Sequence, residues 1–284
     1  MESRFNDQQS TGLPFSPPDY SEPLVMGILN VTPDSFYDGG RYQERGMMLR
    51  QVSRMVEDGI DILDVGAMST RPGAEEISPE DEKERLVHTL TAIREDFPSL
   101  FISLDTCRST VARWAAETFG VGMINDISGG QHDPEMFSWI STTSLTYVMM
   151  HIQGSPRSMQ AAPFYEDVVE EVMEYFSGRI ASLAHLGFDK VILDPGFGFG
   201  KNAKHNYRLL AELERFGIFE KPVMVGLSRK SMIYRELGIS PDQALNGTTA
   251  LHMVALMKGA SILRVHDVRH ARECVKLYRA LISS

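Results

Sequence analysis

Two groups of basic residues near the C-terminus carry the clearest chemical signal in this sequence. Lys230 follows the short apolar run 222–225, and Arg264 and His266 follow the apolar run 260–263. Basic side chains at the ends of two consecutive strands are suited to binding an anion. In a barrel of parallel strands, the loops after strands seven and eight often form a phosphate site. The pattern therefore predicts a substrate that carries a phosphate or diphosphate group.

Polar side chains also follow the other apolar runs. Asn30 ends the first run, Arg71 lies in the loop after the second, and Asp105, Asn125 and Asp194 end the third, fourth and sixth. Carboxylate and amide groups can pair with the N–H edge of a heterocycle, and a buried carboxylate is costly without a partner. The amide oxygen of Asn30 is a hard ligand suited to Mg²⁺. Any one of these residues could instead cap a helix or face solvent, but their recurrence at the strand ends predicts one shared site.

Short apolar runs alternate with longer helical segments along the whole chain, and these elements would position the polar residues. Strands are predicted to start near Leu24, Ile60, Leu100, Val121, Leu145, Lys190, Pro222 and Ala260. Helices are expected between them, since apolar residues recur there with helical spacing. Ser78-Pro79 and Ser240-Pro241 each offer an N-cap followed by a proline at the first helical position. Eight strand–helix units in 284 residues predict a single-domain α/β fold, a (β/α)8 TIM barrel.

Composition excludes several classes of protein. A formal net charge of -10 argues against non-specific binding to nucleic acid or to a membrane surface. No apolar run approaches the roughly 18 residues of a membrane helix. Cys107 and Cys274 are too few and too far apart for a disulfide framework or a zinc motif, which predicts reduced thiols in a cytoplasmic protein. The polar segment 1–22 lacks the apolar centre of a signal peptide, so we expect a flexible lead-in followed by the barrel at 23–284.

Two further signals are weaker. The glycine-rich segment 196–201 lacks the spacing of a P-loop or a dinucleotide motif. It is interpreted as a tight loop that lets the backbone approach a ligand. Structural or surface roles are expected for four scattered histidines: His151, His185, His205 and His252.

Segments along most of the chain resemble, in order and spacing, the motifs of the dihydropteroate synthase family. They are 26–36, 69–74, 125–127, 194–201, 228–231 and 264–267. Members of that family are (β/α)8 transferases of folate synthesis. They join p-aminobenzoate to the diphosphate ester of 6-hydroxymethyl-7,8-dihydropterin and release diphosphate. The resemblance therefore implies a sulfonamide target that uses Mg²⁺ and binds only small-molecule substrates. Members of the family often form homodimers, and we expect a homodimer here.

The resemblance also implies a role for each matching residue. The pterin would be held by Asp105, Asn125, Asp194 and Lys230. The diphosphate would be held by Asn30, Thr70, Arg71, Arg264 and His266, with Asn30 also binding the Mg²⁺. The p-aminobenzoate pocket would be lined by Phe36, Thr70, Pro72 and Ser231. The residues expected to carry catalysis are Asp105, Asp194, Lys230, Arg264 and His266.

The chemistry of this family suits these residues. The bond from the pterin methylene to the diphosphate must break, so the leaving group needs cations such as Arg264, His266 and Mg²⁺. Asp105 and Asp194 could stabilise positive charge developing on the pterin. The arylamine is already a nucleophile, so no covalent enzyme intermediate is implied. Two positions depart from the usual motifs: Met68 replaces a glutamate, and Cys107-Arg108 replaces serine-lysine.

Two alternative functions remain open at this point. One is a pterin-dependent methyltransferase, a related barrel that would not need the cationic group of Lys230, Arg264 and His266. The other is a pterin-binding paralogue without catalysis. Loss of Asn30, Arg71 or Arg264 would indicate the latter, and all three are present.

Overall fold

The structure, a computed structural model, describes residues 18–31, 41–68, 77–154, 159 and 163–284, with only the backbone of 41–44. Within these ranges there are eight strands: β1 Leu24–Asn30, β2 Ile62–Gly66, β3 Ile102–Asp105, β4 Met123–Asp126, β5 Thr146–Met150, β6 Val191–Asp194, β7 Met224–Val225 and β8 Ile262–Val265. Each begins at or just after its predicted start. The strand predictions are therefore confirmed.

The strands pair in parallel and form a ring. Their order in the sheet is β6-β5-β4-β3-β2-β1-β8-β7. A parallel bridge between Leu193 and Val223 joins the two ends of that order. The predicted (β/α)8 TIM barrel is thus confirmed.

Helices alternate with the strands. The α-helices of the described ranges are α1 Arg41–Glu57, α2 Pro79–Asp96, α3 Ser109–Phe119, α4 Glu135–Ile140, α5 Val168–His185, α6 Ala203–Ala211, α7 Ser231–Tyr234, α8 Leu245–Met257 and α9 Val268–Ile282. Ser78 caps α2 as predicted, and its side chain accepts from the Asp81 amide. Ser240 also forms a capping box, but it precedes only a short 3-10 helix, Pro241–Gln243.

The barrel interior changes from apolar to polar along the strands. Successive side chains of a strand point to opposite faces, so alternate residues share the interior. At the N-terminal ends these residues form an apolar cluster: Leu24, Met26, Ile62, Phe101, Met123, Val148, Ile192, Met224 and Ile262. Two residues further along, five strands place polar side chains inside: Asp64, Ser103, Asn125, Asp194 and Arg264. The apolar layer therefore supports a polar layer near the C-terminal mouth.

The N-terminal face of the barrel is covered in part by the end of the predicted lead-in. The Tyr20 hydroxyl lies 3.4 Å from Oγ1 of Thr146, and Glu22 forms an ion pair of 2.7 Å with Arg279. An open cavity of about 600 Å³ lies at this face, opposite the polar layer. The domain boundary at residue 23 stays a prediction. No helix in the described part of the chain is long and apolar enough to cross a bilayer.

Candidate active site

The centre of the polar layer is an arginine held by two carboxylates. Arg264 of β8 donates from Nε to Oδ2 of Asp64 at 2.7 Å and from Nη2 to Oδ2 of Asp105 at 2.8 Å. Asn125 of β4 donates to the same Asp64 oxygen at 3.0 Å. The Asp64 side chain is fully buried, whereas Arg264 and Asp105 keep 20% and 14% of theirs exposed. The guanidinium therefore joins β2, β3 and β8 and still reaches the mouth of the barrel.

Asp64 is the residue of this cluster that sequence reasoning missed. It lies inside the apolar strand Ile62–Gly66 rather than at its end. A charged residue in a buried strand was an available signal, because such a residue needs a partner. The partner could not be named from the sequence, since Arg264 lies on the last strand.

Burial and the neighbouring charges both shift the pKa values of Asp105 and Arg264. The pKa of Asp105 is raised to about 7: burial is the main cause, Arg264 opposes it, and the nearby Asp64 carboxylate adds to it. Burial alone would lower the pKa of Arg264, but the Asp64 and Asp105 carboxylates outweigh it and the pKa lies above its usual value. Arg264 is therefore a permanent cation beside a carboxyl group that can exchange its proton near neutral pH.

Asp194 ends β6 and begins the glycine-rich segment. Its Oδ1 accepts from the Gly196 amide at 2.8 Å. Burial raises the pKa of Asp194, and the Lys230 ammonium opposes this shift. Lys230 donates to the Phe197 carbonyl, and burial lowers its pKa to about 8 against the pull of Asp194. The structure thus brings the predicted pterin residues Asp194 and Lys230 together across β6 and β7.

Gly196 has no room for a side chain. Its φ is +71°, and a Cβ at this position would lie 1.9 Å from the His151 carbonyl oxygen. Only glycine tolerates both the left-handed backbone and this close approach. The interpretation of 196–201 as a tight loop agrees with this geometry.

The loops after β7 and β8 are joined by an ion pair. Arg229 has a φ of 55° and bonds Asp267 through two contacts of 2.8 Å, from Nε and from Nη2. Nδ1 of His266 lies 3.1 Å from Oγ of Ser228, across the same two loops. Burial lowers the pKa of His266, and Arg264 lowers it further. These contacts therefore hold together the two loops that carry Lys230 and His266.

Asn30 and Ser231 lie at the mouth, at the end of β1 and the start of α7. Asn30 is exposed and pairs in register with Gly66, which in turn pairs with Asp105. The predicted site residues Phe36, Thr70, Arg71 and Pro72 lie outside the described residues. Their roles stay predictions.

The two departures from the family motifs contact each other. Nη1 of Arg108 lies 3.6 Å from Sδ of Met68 and 2.6 Å from Oε2 of the buried Glu82. Nη2 of Arg108 donates to the Ile77 carbonyl at 2.6 Å. The buried Glu82 therefore supplies the carboxylate that balances the charge of Arg108 beside the uncharged Met68.

The comparisons with known proteins agree with this geometry. A family model described as "Pterin binding enzyme" matches residues 26–266. The chain is 44% identical over 268 residues to the dihydropteroate synthase of Escherichia coli (strain K12), covering 94% of both chains. The chain belongs to the dihydropteroate synthase family. The relative from Haemophilus influenzae (strain ATCC 51907 / DSM 11121 / KW20 / Rd) is 43% identical over 264 residues, covering 92% of this chain and 95% of its own.

Solved structures of the family share the fold of this member. The Yersinia pestis dihydropteroate synthase with a sulfonamide drug complex superposes with a TM-score of 0.86 at 41% identity, covering 94% of this chain and 97% of its own. The Xanthomonas albilineans dihydropteroate synthase with 4-aminobenzoic acid gives a TM-score of 0.84 at 37% identity, covering 93% and 95%. The resemblance inferred from the motifs is therefore confirmed over nearly the whole chain.

Proposed function

We propose that this family member condenses p-aminobenzoate with (7,8-dihydropterin-6-yl)methyl diphosphate to give 7,8-dihydropteroate and diphosphate. It is a transferase of folate synthesis. The observation that carries this function is the polar layer at the barrel mouth, where Asp105, Asn125 and Asp194 lie beside the cations Lys230 and Arg264. Relatives named dihydropteroate synthase are 38% to 44% identical over at least 90% of the chain.

The carboxylates and the amide are proposed to hold the pterin. A pterin ring presents N–H donors along one edge, and buried acceptors gain most when a ligand satisfies them. Asp194 and Asn125 are both buried at the ends of β6 and β4. Lys230 supplies a donor for a ring acceptor, and its charge also favours the ionised form of Asp194. This set therefore matches a ring that carries donors and acceptors together.

The cations are proposed to stabilise the leaving group. As the bond between the methylene carbon and the diphosphate oxygen breaks, its electron pair leaves with the diphosphate. The positive charge left on the methylene spreads into the pterin, where Asp105 and Asp194 stabilise it. Among the described residues, Asp64 and Asp105 engage Nε and Nη2 of Arg264, so Nη1 is the edge that would meet the diphosphate. His266 directly follows β8, two residues after Arg264 in the sequence.

The arylamine then completes the reaction. Its nitrogen forms the new bond to the methylene carbon and gives up a proton, which neutralises negative charge on the departing diphosphate or passes to water. We place Ser231 in the p-aminobenzoate pocket with the predicted residues Phe36, Thr70 and Pro72. Arg71 is placed on the diphosphate with Asn30 and Thr70. The relatives solved with a sulfonamide and with 4-aminobenzoic acid support a site for both ligands.

Asn30 is proposed to bind Mg²⁺ together with the substrate. Within the described residues, no group of three or more His, Cys, Asp or Glu side chains could hold a metal ion alone. An exposed amide oxygen at the mouth fits an ion whose other ligands are water and diphosphate oxygens. When bound, Mg²⁺ would neutralise charge on the leaving diphosphate.

We further propose a cytoplasmic homodimer. Large apolar side chains are exposed on two adjacent helices, at Met257 of α8 and at Leu277, Leu281 and Ile282 of α9. Apolar surface of this kind favours association with another chain. The compartment is proposed from the cysteines, since both are buried and unpaired, in keeping with a reducing environment. Light scattering of wild type and Leu277→Asp tests the dimer, since a charge in the interface should give a monomer.

Diphosphate release tests the proposed reaction directly. The purified protein should release diphosphate from the dihydropterin substrate only when p-aminobenzoate and Mg²⁺ are both present. Omission of the amine and addition of EDTA are the controls. Tight pterin binding without turnover would contradict the proposal and favour the methyltransferase or the catalytically silent paralogue.

A further inference from the structure

Two lysines donate hydrogen bonds to carbonyl groups of the glycine-rich segment after β6. Nζ of Lys201 lies 3.1 Å from the Gly196 oxygen and 3.0 Å from the Phe199 oxygen. Lys230 donates to the Phe197 carbonyl that lies between them. Lys230 belongs to the proposed pterin site, but Lys201 has no role in the reaction described above.

Lys201 is buried, and its third donor is taken by a histidine. Only 2% of Lys201 is exposed, and its Nζ lies 2.9 Å from Nδ1 of His151. His151 is itself buried and packs edge-on against the ring of Tyr175 at 4.9 Å. Burial lowers the pKa of His151 to about 2, so its ring is neutral and Nδ1 can accept from the ammonium. The His151 carbonyl oxygen, 3.3 Å from Nζ, is a fourth partner, so the donors of Lys201 are satisfied by protein acceptors. Burial still lowers the pKa of Lys201 to about 7, although the Asp194 carboxylate opposes this shift.

The residues that contact Lys201 also form hydrogen bonds to Asp194. The Gly196 carbonyl accepts from Lys201, and the Gly196 amide donates to Oδ1 of Asp194 at 2.8 Å. The His151 amide donates to the Asp194 carbonyl at 2.9 Å. The His151 oxygen fills the space where a side chain of Gly196 would lie. Lys201 and His151 thus fix the turn on which the Asp194 carboxylate depends.

We propose that Lys201, held by His151, is a positioning residue that orients Asp194 for the pterin ring. Lys201 itself does not touch the substrate, since its donors face protein acceptors in the segment 196–201 and on His151. The proposal rests on the proposed role of Asp194 in pterin binding. Loss of a residue that only supports the fold would weaken the binding of every ligand. Loss of a positioning residue for Asp194 weakens the binding of the pterin alone.

The test compares ligand affinities in Lys201→Met, which keeps an unbranched side chain one atom shorter and removes the ammonium group with its donors. The dissociation constant of 6-hydroxymethylpterin, which lacks the diphosphate, should rise about 10- to 100-fold. The KM for p-aminobenzoate should stay within about twofold in the same variant. Lys204→Met is the matched control, because Lys204 is exposed on the first turn of α6 and undergoes the same replacement. It should bind the pterin as wild type does.

Asp194→Asn separates this inference from the proposed site. If Asp194→Asn binds the pterin as tightly as wild type, the proposed role of Asp194 is wrong. If Asp194→Asn weakens binding and a folded Lys201→Met does not, the positioning role is wrong. In the double variant, Lys201→Met should add little to the effect of Asp194→Asn, because both act through one carboxylate. Fully additive effects would overturn the inference.

His151→Phe provides a second variant should Lys201→Met not fold. Phenylalanine keeps the ring packing against Tyr175 and removes the Nδ1 acceptor. Pterin affinity should fall about threefold to tenfold, again with little change in the KM for p-aminobenzoate. An unchanged pterin affinity, or an equal loss of affinity for both substrates, would contradict the proposal.

Discussion

Nε of Arg264 lies 2.7 Å from Oδ2 of Asp64, although 200 positions separate the two residues in the sequence. Asp64 is fully buried in β2, while Arg264 reaches the mouth of the barrel and also bonds Asp105. One carboxylate therefore orients the guanidinium from below, and the other couples it to the proposed pterin site. The two halves of the site, for the pterin and for the diphosphate, share this arginine.

Asp64→Asn should impair the enzyme without removing any group that touches substrate. The amide keeps the shape but loses the charge that orients Arg264, so kcat/KM should fall about 10- to 100-fold. Stability should fall by about 2 kcal/mol, as a buried charge-assisted pair is broken. Steady-state kinetics and urea unfolding measure both effects. Asp96→Asn, at an exposed position that ends α2, is the control, and equal behaviour of the two variants would contradict the role of Asp64.

Arg264→Ala and His266→Ala should differ in which ligand they affect. Loss of His266 should weaken binding of the diphosphate-bearing substrate and leave the affinity for 6-hydroxymethylpterin unchanged. Loss of Arg264 should weaken both, because Asp64 and Asp105 then lose their cationic partner beside the proposed pterin site. Calorimetric titration with both ligands distinguishes the outcomes. A purely diphosphate-specific effect of Arg264→Ala would show that its ion pairs do not matter for the pterin.

The rate should depend on pH through Asp105 and Lys230. The pKa of Asp105 is raised to about 7, so its carboxylate forms as pH rises through that value. The pKa of Lys230 is lowered to about 8, so its ammonium is lost above that value. A plot of kcat/KM against pH should therefore be bell-shaped between these limits. Asp105→Asn should remove the acidic limb, and an unchanged acidic limb would assign it to another group.

The same shift of Asp105 has a consequence for stability. Its folded-state pKa lies above the unfolded value, so the folded protein binds this proton more tightly than the unfolded chain does. This contribution to stability is complete in acid, below the usual pKa of an aspartate, and is lost as pH rises to about 7. Urea unfolding across that range should show a smaller loss of stability on raising the pH in Asp105→Asn than in wild type.

Two glycines with similar backbones should respond differently to alanine. Gly196 and Gly187 have φ values of +71° and +75°, but only at Gly196 would a Cβ meet another atom, the His151 oxygen at 1.9 Å. Gly187→Ala should cost about 1 kcal/mol from backbone strain and keep full activity. Gly196→Ala should also displace the turn and abolish pterin binding. Thermal unfolding and pterin titration of both variants test this contrast, and normal pterin affinity in Gly196→Ala would contradict the role of the turn.

Much of the fold and the location of the site could be predicted from local pattern. Apolar runs and helical periodicity are properties of neighbouring residues, so every strand start was predicted closely. Residues at strand ends must meet at one end of a parallel barrel, which placed Asp105, Asn125, Asp194 and Lys230 together before any distance was known. The family motifs added the roles that spacing alone left open.

Sequence by itself thus determined the barrel, the end that carries the chemistry and the family. Only the tertiary structure decided which polar side chains are partners: Asp64 with Arg264, Lys201 with His151, and Arg229 with Asp267. Strands and helices follow from interactions within a few residues along the chain. Hydrogen bonds and ion pairs across a closed barrel depend on shear, side-chain reach and burial, and these are set only once all eight strands have come together.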